Sequence, residues 1–253
     1  MILQAIILGI VEGITEFLPI SSTGHLILVQ KFLYIPPLDF WKSFDIIIQF
    51  GAILSVVFLY FKKIISNKKL LYNVAVAFIP SAAIGLAFYE LIKKYLLGNA
   101  DVVIWSLLIG GVVILLLERF CVNKKGVELD KLSYLKSFKI GLFQSIAMIP
   151  GVSRSAATIF GGMSLGLSRS AIVEFSFLLA IPTMAGAAGL DLIRSDWSFS
   201  SYEWLVLAVG FATAFITALC AIKFLLFYVQ KHDFKIFGWY RILLALICLF
   251  LLK

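Results

Sequence analysis

Glu12 and Glu16 stand four residues apart in an otherwise apolar stretch, so a helix there presents both carboxylates on one face about a turn apart. Neither has a basic neighbour in sequence. An ionisable side chain inside an apolar run is costly unless paired or hydrated, so the pair reads as functional rather than incidental. Two hard oxygen donors suit Mg²⁺ or Ca²⁺, and magnesium commonly binds one or two carboxylates together with phosphate oxygens. A proton-carrying role for one carboxyl is the other chemistry open to the pair.

Pro19 should end that helix, because proline lacks a donor and pushes the preceding residue toward extended geometry. Ser21-Ser22-Thr23-Gly24-His25 follows at once. A serine caps helix N-termini well, and the free N–H groups behind such a cap attract anions. Ser22 is a candidate nucleophile, activated by His25 or by a glutamate, with a metal-activated water attacking directly as the alternative, and His25, three residues on, is a candidate proton donor in either case; an ordinary cap with a surface imidazole is the plainer reading.

A second run, Pro150-Gly151-Val152-Ser153-Arg154-Ser155, has Thr158 one turn beyond Arg154. An arginine in an apolar segment needs an anionic partner: phosphate, whose oxygens match its planar fork, or Glu12 or Glu16 in a structural bridge. Ser21 and Thr23 at the first break, and Ser153, Ser155 and Thr158 at the second, are the hydroxyls expected to finish a phosphate cradle. Gln49 and Gln144 are further polar residues in apolar runs, expected to support the site from behind. His232 in a basic loop reads as solvated. Cys121, Cys220 and Cys248 lack pairing or metal-ligand spacing and read as small buried hydrophobes. Gly110-Gly111, Gly161-Gly162 and Gly186 to Gly189 read as close helix contacts.

The elements that must carry these groups belong to a membrane. Of 253 residues 62% are hydrophobic and only 14% charged, which leaves too little polar surface for a soluble globule. Runs near 44–61, 70–92, 102–117, 170–190, 203–229 and 236–252 approach the roughly 20 apolar residues of a spanning helix, giving six expected spans. The segments 1–34 and 132–166 are also apolar but carry Pro-Ser breaks. The first lacks the basic residues of a signal peptide and is expected to stay in the mature chain. The net charge of +8 falls in short loops rather than in a stripe, which argues against nucleic acid as a partner. Lys62, Lys63, Lys68, Lys69, the loop from Arg119 to Lys139, and the group Lys223, Lys231, Lys235 and Arg241 are expected on the cytoplasmic side. Segments near Lys93–Lys94 and Asp191–Glu203 should face outward. Six alternating spans fit these loops only if 1–34 enters and leaves from outside and 132–166 from inside. The expected fold is therefore an all-α integral membrane domain over 1–253. It has six transmembrane helices and two re-entrant hairpins, in an inverted-topology repeat of 1–125 and 126–253.

The run from Glu12 through Pro19 to His25 and the run Pro150-Gly151-Val152-Ser153-Arg154-Ser155-Ala156-Ala157-Thr158 resemble the two signature motifs of the bacterial undecaprenyl-pyrophosphate phosphatases, also called bacitracin-resistance proteins. Ile48-Gln49-Phe50-Gly51 and the run from Glu174 to Pro182 add to the likeness, which covers the full chain. The resemblance implies hydrolysis of undecaprenyl (C55) pyrophosphate to the monophosphate, recycling the lipid carrier of cell-wall synthesis. It also implies Glu12, Glu16, Ser22, His25 and Arg154 as working residues, a divalent cation, Mg²⁺ or Ca²⁺, and a site open to the outer face of the bacterial cytoplasmic membrane. Membrane lipids, and a second copy of the chain as a homodimer, are candidate partners. The rival class is a polyprenyl-phosphate flippase or secondary transporter, since inverted repeats with broken helices also build transporters.

Overall fold

The computed structural model describes residues 1–96, 99–120, 126–194 and 198–251. Cys121 and Lys124 lie outside them. The described chain is helical: α1 (Ile2–Thr15), α2 (Ser22–Phe32), α3 (Asp39–Ser66), α4 (Lys68–Tyr95), α5 (Ala100–Phe120), α6 (Tyr134–Ser145), α7 (Arg154–Ser164), α8 (Arg169–Arg194), α9 (Ser201–Lys231) and α10 (Lys235–Leu251). Single 3₁₀ turns lie at Leu129–Lys131 and Ile146–Met148.

Five helices, α3, α4, α5, α8 and α9, are long and apolar enough to cross a membrane. The remaining expected span, 236–252, forms α10, with 17 residues among those described. Many large apolar side chains point outward, among them Phe58, Phe61, Ile109 and Trp239, the distribution expected when lipid is the solvent. The protein is thus a multi-pass membrane protein. α9 starts on a reciprocal cap in which Ser200 Oγ accepts from the Glu203 N–H and Glu203 accepts from the Ser200 N–H. α4 and α8 each carry an internal proline, Pro80 and Pro182, which removes a donor from the helix.

α1 ends at Thr15 rather than at Pro19, and Glu16 to Ile20 form a turn. The Glu16 N–H still donates to the Glu12 carbonyl at 2.9 Å, so the two glutamates keep their one-turn spacing. α1 packs on α9, and α6 on α4; α3 lies between α8 and α9, and α5 pairs with α10. Gly110-Gly111 and Gly161-Gly162 serve close contacts as expected, whereas a Cβ on Gly186 would meet only Phe78 at ordinary contact distance and one on Gly189 would meet nothing within 4 Å. A Cβ on Gly161 would run into Phe143 and one on Gly111 would lie 2.7 Å from the Gly238 carbonyl oxygen.

Contacts sort the loops into two groups. On one side, Lys69 Nζ donates to the Asp130 carbonyl at 2.7 Å, Val127 N–H donates to Gly166 O, and Asn73 reaches Leu132 O. There, too, buried Glu118 accepts two bonds from Arg169 and one from the Phe234 N–H, tying α5, α8 and the α9–α10 turn together. On the other, Phe40 at the start of α3 meets Phe199 edge to face at 5.7 Å, in a cluster that also holds Ile2 and Ile35.

Arg241 departs from the reading of it as a loop charge. It is fully buried. Backbone carbonyls accept from its guanidinium N–H groups in place of water.

Candidate active site

Both breaks are serine-capped helix starts. Ser21 caps α2 by accepting from the Gly24 N–H, and Ser153 caps α7 by accepting from the Ala156 N–H. Each holds a positive φ, 73° and 76°, unusual for a non-glycine residue. Such conformations survive only where the surroundings enforce them. Here the breaks enforce each other: Ser155 Oγ, 3.0 Å from Ser153 Oγ, donates to the Leu18 carbonyl at 2.8 Å.

Where they meet, three side chains form a chain of contacts. Ser22 Oγ donates to Glu16 Oε2 at 2.6 Å, and Arg154 Nη2 donates to Glu16 Oε1 at 2.8 Å. Arg154 is oriented further by Nη1 donating to Ser176 O at 2.7 Å and by the Phe17 ring, 5.9 Å from its Cζ. The Glu16 and Arg154 side chains are only 5% and 12% exposed, so this charge pair works at low dielectric, where its geometry is held firmly.

These groups line one end of a cavity of about 580 Å³. Glu16, Ser21, Ser22, Thr23, Ser153 and Arg154 form its polar end. Phe78, Leu86, Met148 and Met184 lie along the rest. Gln49 and Gln144, expected behind the site, line the cavity directly. Gln144 donates to Ser81 Oγ (2.9 Å) and Thr183 Oγ1 (3.1 Å), bridging α4 and α8 across it. Ser155 and Thr158, expected in the phosphate cradle, are not among the lining residues. Ser155 joins the breaks, and Thr158 Oγ1 donates to Arg154 O at 2.9 Å, the usual bond of a hydroxyl to the preceding helical turn.

His25 and Glu12 are likewise not among the lining residues. The Nδ1 of His25 lies 2.7 Å from the Ser21 carbonyl oxygen and its Nε2 2.7 Å from Tyr240 Oη, with the two rings stacked. Sharing a helix face with Ser22 is outweighed by these two partners. Glu12 is fully buried and both its carboxylate oxygens lack a partner. A bare carboxylate in that position is strongly disfavoured, so the site calls for a proton or a cation there. A proton on Glu12 or a hard divalent ion held by it would each meet that need. Glu16 is less free to hold an ion, since Ser22 and Arg154 hold its two oxygens. Among the described residues no group of three or more His, Cys, Asp or Glu comes together as a metal cluster.

Sequence reasoning missed Arg241, Tyr240 and Ser176. Ser176 contributes chiefly a backbone carbonyl, which no residue type announces. Arg241 did carry a signal: it interrupts the apolar run 236–252 as Arg154 interrupts 132–166.

The family model described as "Bacitracin resistance protein BacA" matches residues 5–247. The chain belongs to the BacA family. Among BacA-type relatives, the protein named undecaprenyl-diphosphatase of Aquifex aeolicus is 52% identical over 245 residues, 96% of each chain. Those of the same name from Sulfurihydrogenibium sp. and Bdellovibrio bacteriovorus are 48% and 47% identical. The first alignment covers 97% of both chains; the second covers 99% of this chain and 95% of the relative.

Proposed function

We propose that this BacA-family protein hydrolyses undecaprenyl pyrophosphate to undecaprenyl phosphate and inorganic phosphate, recycling the lipid carrier of cell-wall synthesis and conferring bacitracin resistance. The observation that carries the reading is Ser22–Glu16–Arg154, joined across the two breaks at the polar end of an otherwise apolar cavity. The pyrophosphate lies at that end and the isoprenoid tail along Phe78, Leu86 and Met184. The names of the relatives point to the same substrate.

In the proposed mechanism Glu16 accepts the Ser22 proton as Ser22 Oγ attacks the terminal phosphorus. The Oγ–P bond forms, the bridging P–O bond breaks, and the lipid monophosphate leaves. Water then attacks the phosphoserine, inorganic phosphate departs, and the proton returns to Ser22. Charge on the transferred group is met by Arg154 and by the N–H groups opening α2 and α7. A divalent ion held by Glu12, with Glu16, would neutralise further phosphate charge. His25 holds the Ser21 carbonyl, and so the start of α2. The hydroxyls of Ser21, Thr23 and Ser153 face the phosphate.

The fold proposed around this site has six spans and two re-entrant hairpins in inverted repeat. Support comes from the matching breaks: Ser21 and Ser153 open 11-residue helices that end at Leu33 and Leu165 in similar conformations. The same spacing brings Gln144 to the place of Glu12. The packing of α1 on α9 is echoed by α6 on α4. Both ends of 132–166 lie beside the basic loops, and Ile2 and Ile35 share the opposite side with Phe199. The cavity runs along α4 from Phe78 to Tyr89, away from the basic loops, toward what is read as the outer face of the cytoplasmic membrane.

Two measurements test these readings. Purified protein in detergent should release phosphate from undecaprenyl pyrophosphate, lose that activity to a chelator, and regain it with Mg²⁺ or Ca²⁺. Absence of phosphate release would leave lipid movement without cleavage, and activity indifferent to chelation would remove the cation. In intact cells free of native cysteines, a cysteine at Asp39 or Ser198 should react with an impermeant thiol reagent added outside, and one at Lys68 should not. The reverse labelling would turn the protein, and the opening of its site, to the other side.

A further inference from the structure

Arg241 is the largest fully buried side chain among the described residues, and the mechanism above gives it no task. Its guanidinium has five N–H groups, and it makes five bonds to five different backbone carbonyls. Nη1 donates to Pro19 (3.3 Å) and Val152 (3.0 Å), Nη2 to Gly151 (2.8 Å) and Ser106 (2.9 Å), and Nε to Leu107 (3.4 Å). None of the five partners is a carboxylate, so the arginine is not there to balance a charge. Pro19 belongs to the first break, Gly151 and Val152 to the second, and the remaining two to α5. Carbonyls in irregular backbone at membrane depth need partners from inside the protein, and here one planar group serves both breaks.

An independent feature points the same way. A Cβ on Gly110 would run into Arg241 Nη2 and lie 2.8 Å from Cζ, so α5 carries a glycine where the guanidinium must seat. The residue before it, Tyr240, bonds His25, which in turn holds Ser21 O. α10 therefore reaches the first break by two adjacent residues and the second by one of them.

We infer that Arg241 is a positioning residue for the phosphoryl transfer. By gripping the Pro19, Gly151 and Val152 carbonyls on one rigid fork it sets the register between the two breaks, and so between Ser22–Glu16 and Arg154. Lysine cannot replace it, since a single ammonium has three donors on one atom and cannot span carbonyls on opposite edges of a guanidinium. Loss of register is expected in kcat rather than in substrate affinity, because misplacement of reacting groups by about an ångström costs on the order of 10²-fold in rate.

The inference rests on the proposed reaction, and one series of purified proteins separates the two. Wild type, Arg241→Lys, Gly110→Ala and Arg169→Lys are compared by kcat and KM per folded molecule, beside their thermal-unfolding midpoints. An inactive wild type would defeat the reaction itself. With an active wild type, Arg241→Lys should lose roughly 10²-fold in kcat with KM within about threefold. Gly110→Ala should lose kcat in the same sense, although it keeps the arginine and its charge. Arg169→Lys, which weakens the remote pair with Glu118, should lower the midpoint and leave kcat per folded molecule unchanged. If Arg241→Lys does not fold, Gly110→Ala decides alone, since it only displaces the guanidinium. Wild-type kcat in either folded variant overturns the inference.

Discussion

Glu16→Gln is expected to lower phosphate release by at least about two orders of magnitude, since a positioned acid–base group supplies roughly 10²–10⁴-fold. Glu16 accepts on both oxygens, from Ser22 at 2.6 Å and from Arg154 at 2.8 Å. An amide offers one oxygen and one NH₂. Turned with its oxygen toward Arg154, the amide still accepts there, and its NH₂ can donate to the Ser22 oxygen, but an amide cannot take up the Ser22 proton. The variant thus loses the proton acceptor for Ser22 while it can keep the contact with Arg154 that joins the breaks. Measured per folded molecule, near-normal turnover would remove Glu16 from the mechanism.

Arg154→Lys keeps the positive charge and should still lose on the order of 10²-fold, because the reaction needs the geometry of the fork. Arg154 reaches Glu16 through one nitrogen and Ser176 O through another while its plane lies near the Phe17 ring. An ammonium can make one of these contacts well, and it cannot present a flat two-pronged face to phosphate. Were Arg154 only a structural bridge, the thermal midpoint would fall while folded molecules kept their turnover. Activity per folded molecule beside the unfolding midpoint separates these outcomes.

Most of the polar end of the cavity was legible in the sequence because polar residues in apolar runs are conspicuous. Glu16, Ser22 and Arg154 stood out for that reason, and the Pro-Ser breaks announced where helices restart, although α1 stops at Thr15, short of Pro19. Two things were not legible. The first is direction: His25 sits three residues from Ser22, yet its ring is drawn to Ser21 O and to Tyr240, over two hundred residues away. Sequence spacing fixes which face a side chain leaves from, not which partner it finds. The second is backbone demand. Arg241 was counted with the loop cations because charge near a basic loop favours water, and its true partners are carbonyls freed by the two breaks. Such partners appear only once the chain is folded. The same holds for Ser155 and Thr158, whose hydroxyls serve backbone carbonyls rather than the cavity.

If two breaks over a hundred residues apart form one reacting unit, the double variant Glu16→Gln with Arg154→Lys must reveal it. With each single change costing about 10²-fold, independent roles would multiply to about 10⁴-fold, whereas groups that act as a unit are strongly non-additive. Turnover per folded molecule of the double variant should stay within about tenfold of the worse single variant. A loss equal to the product of the two singles would mean that Glu16 and Arg154 act separately, and would contradict the joined site.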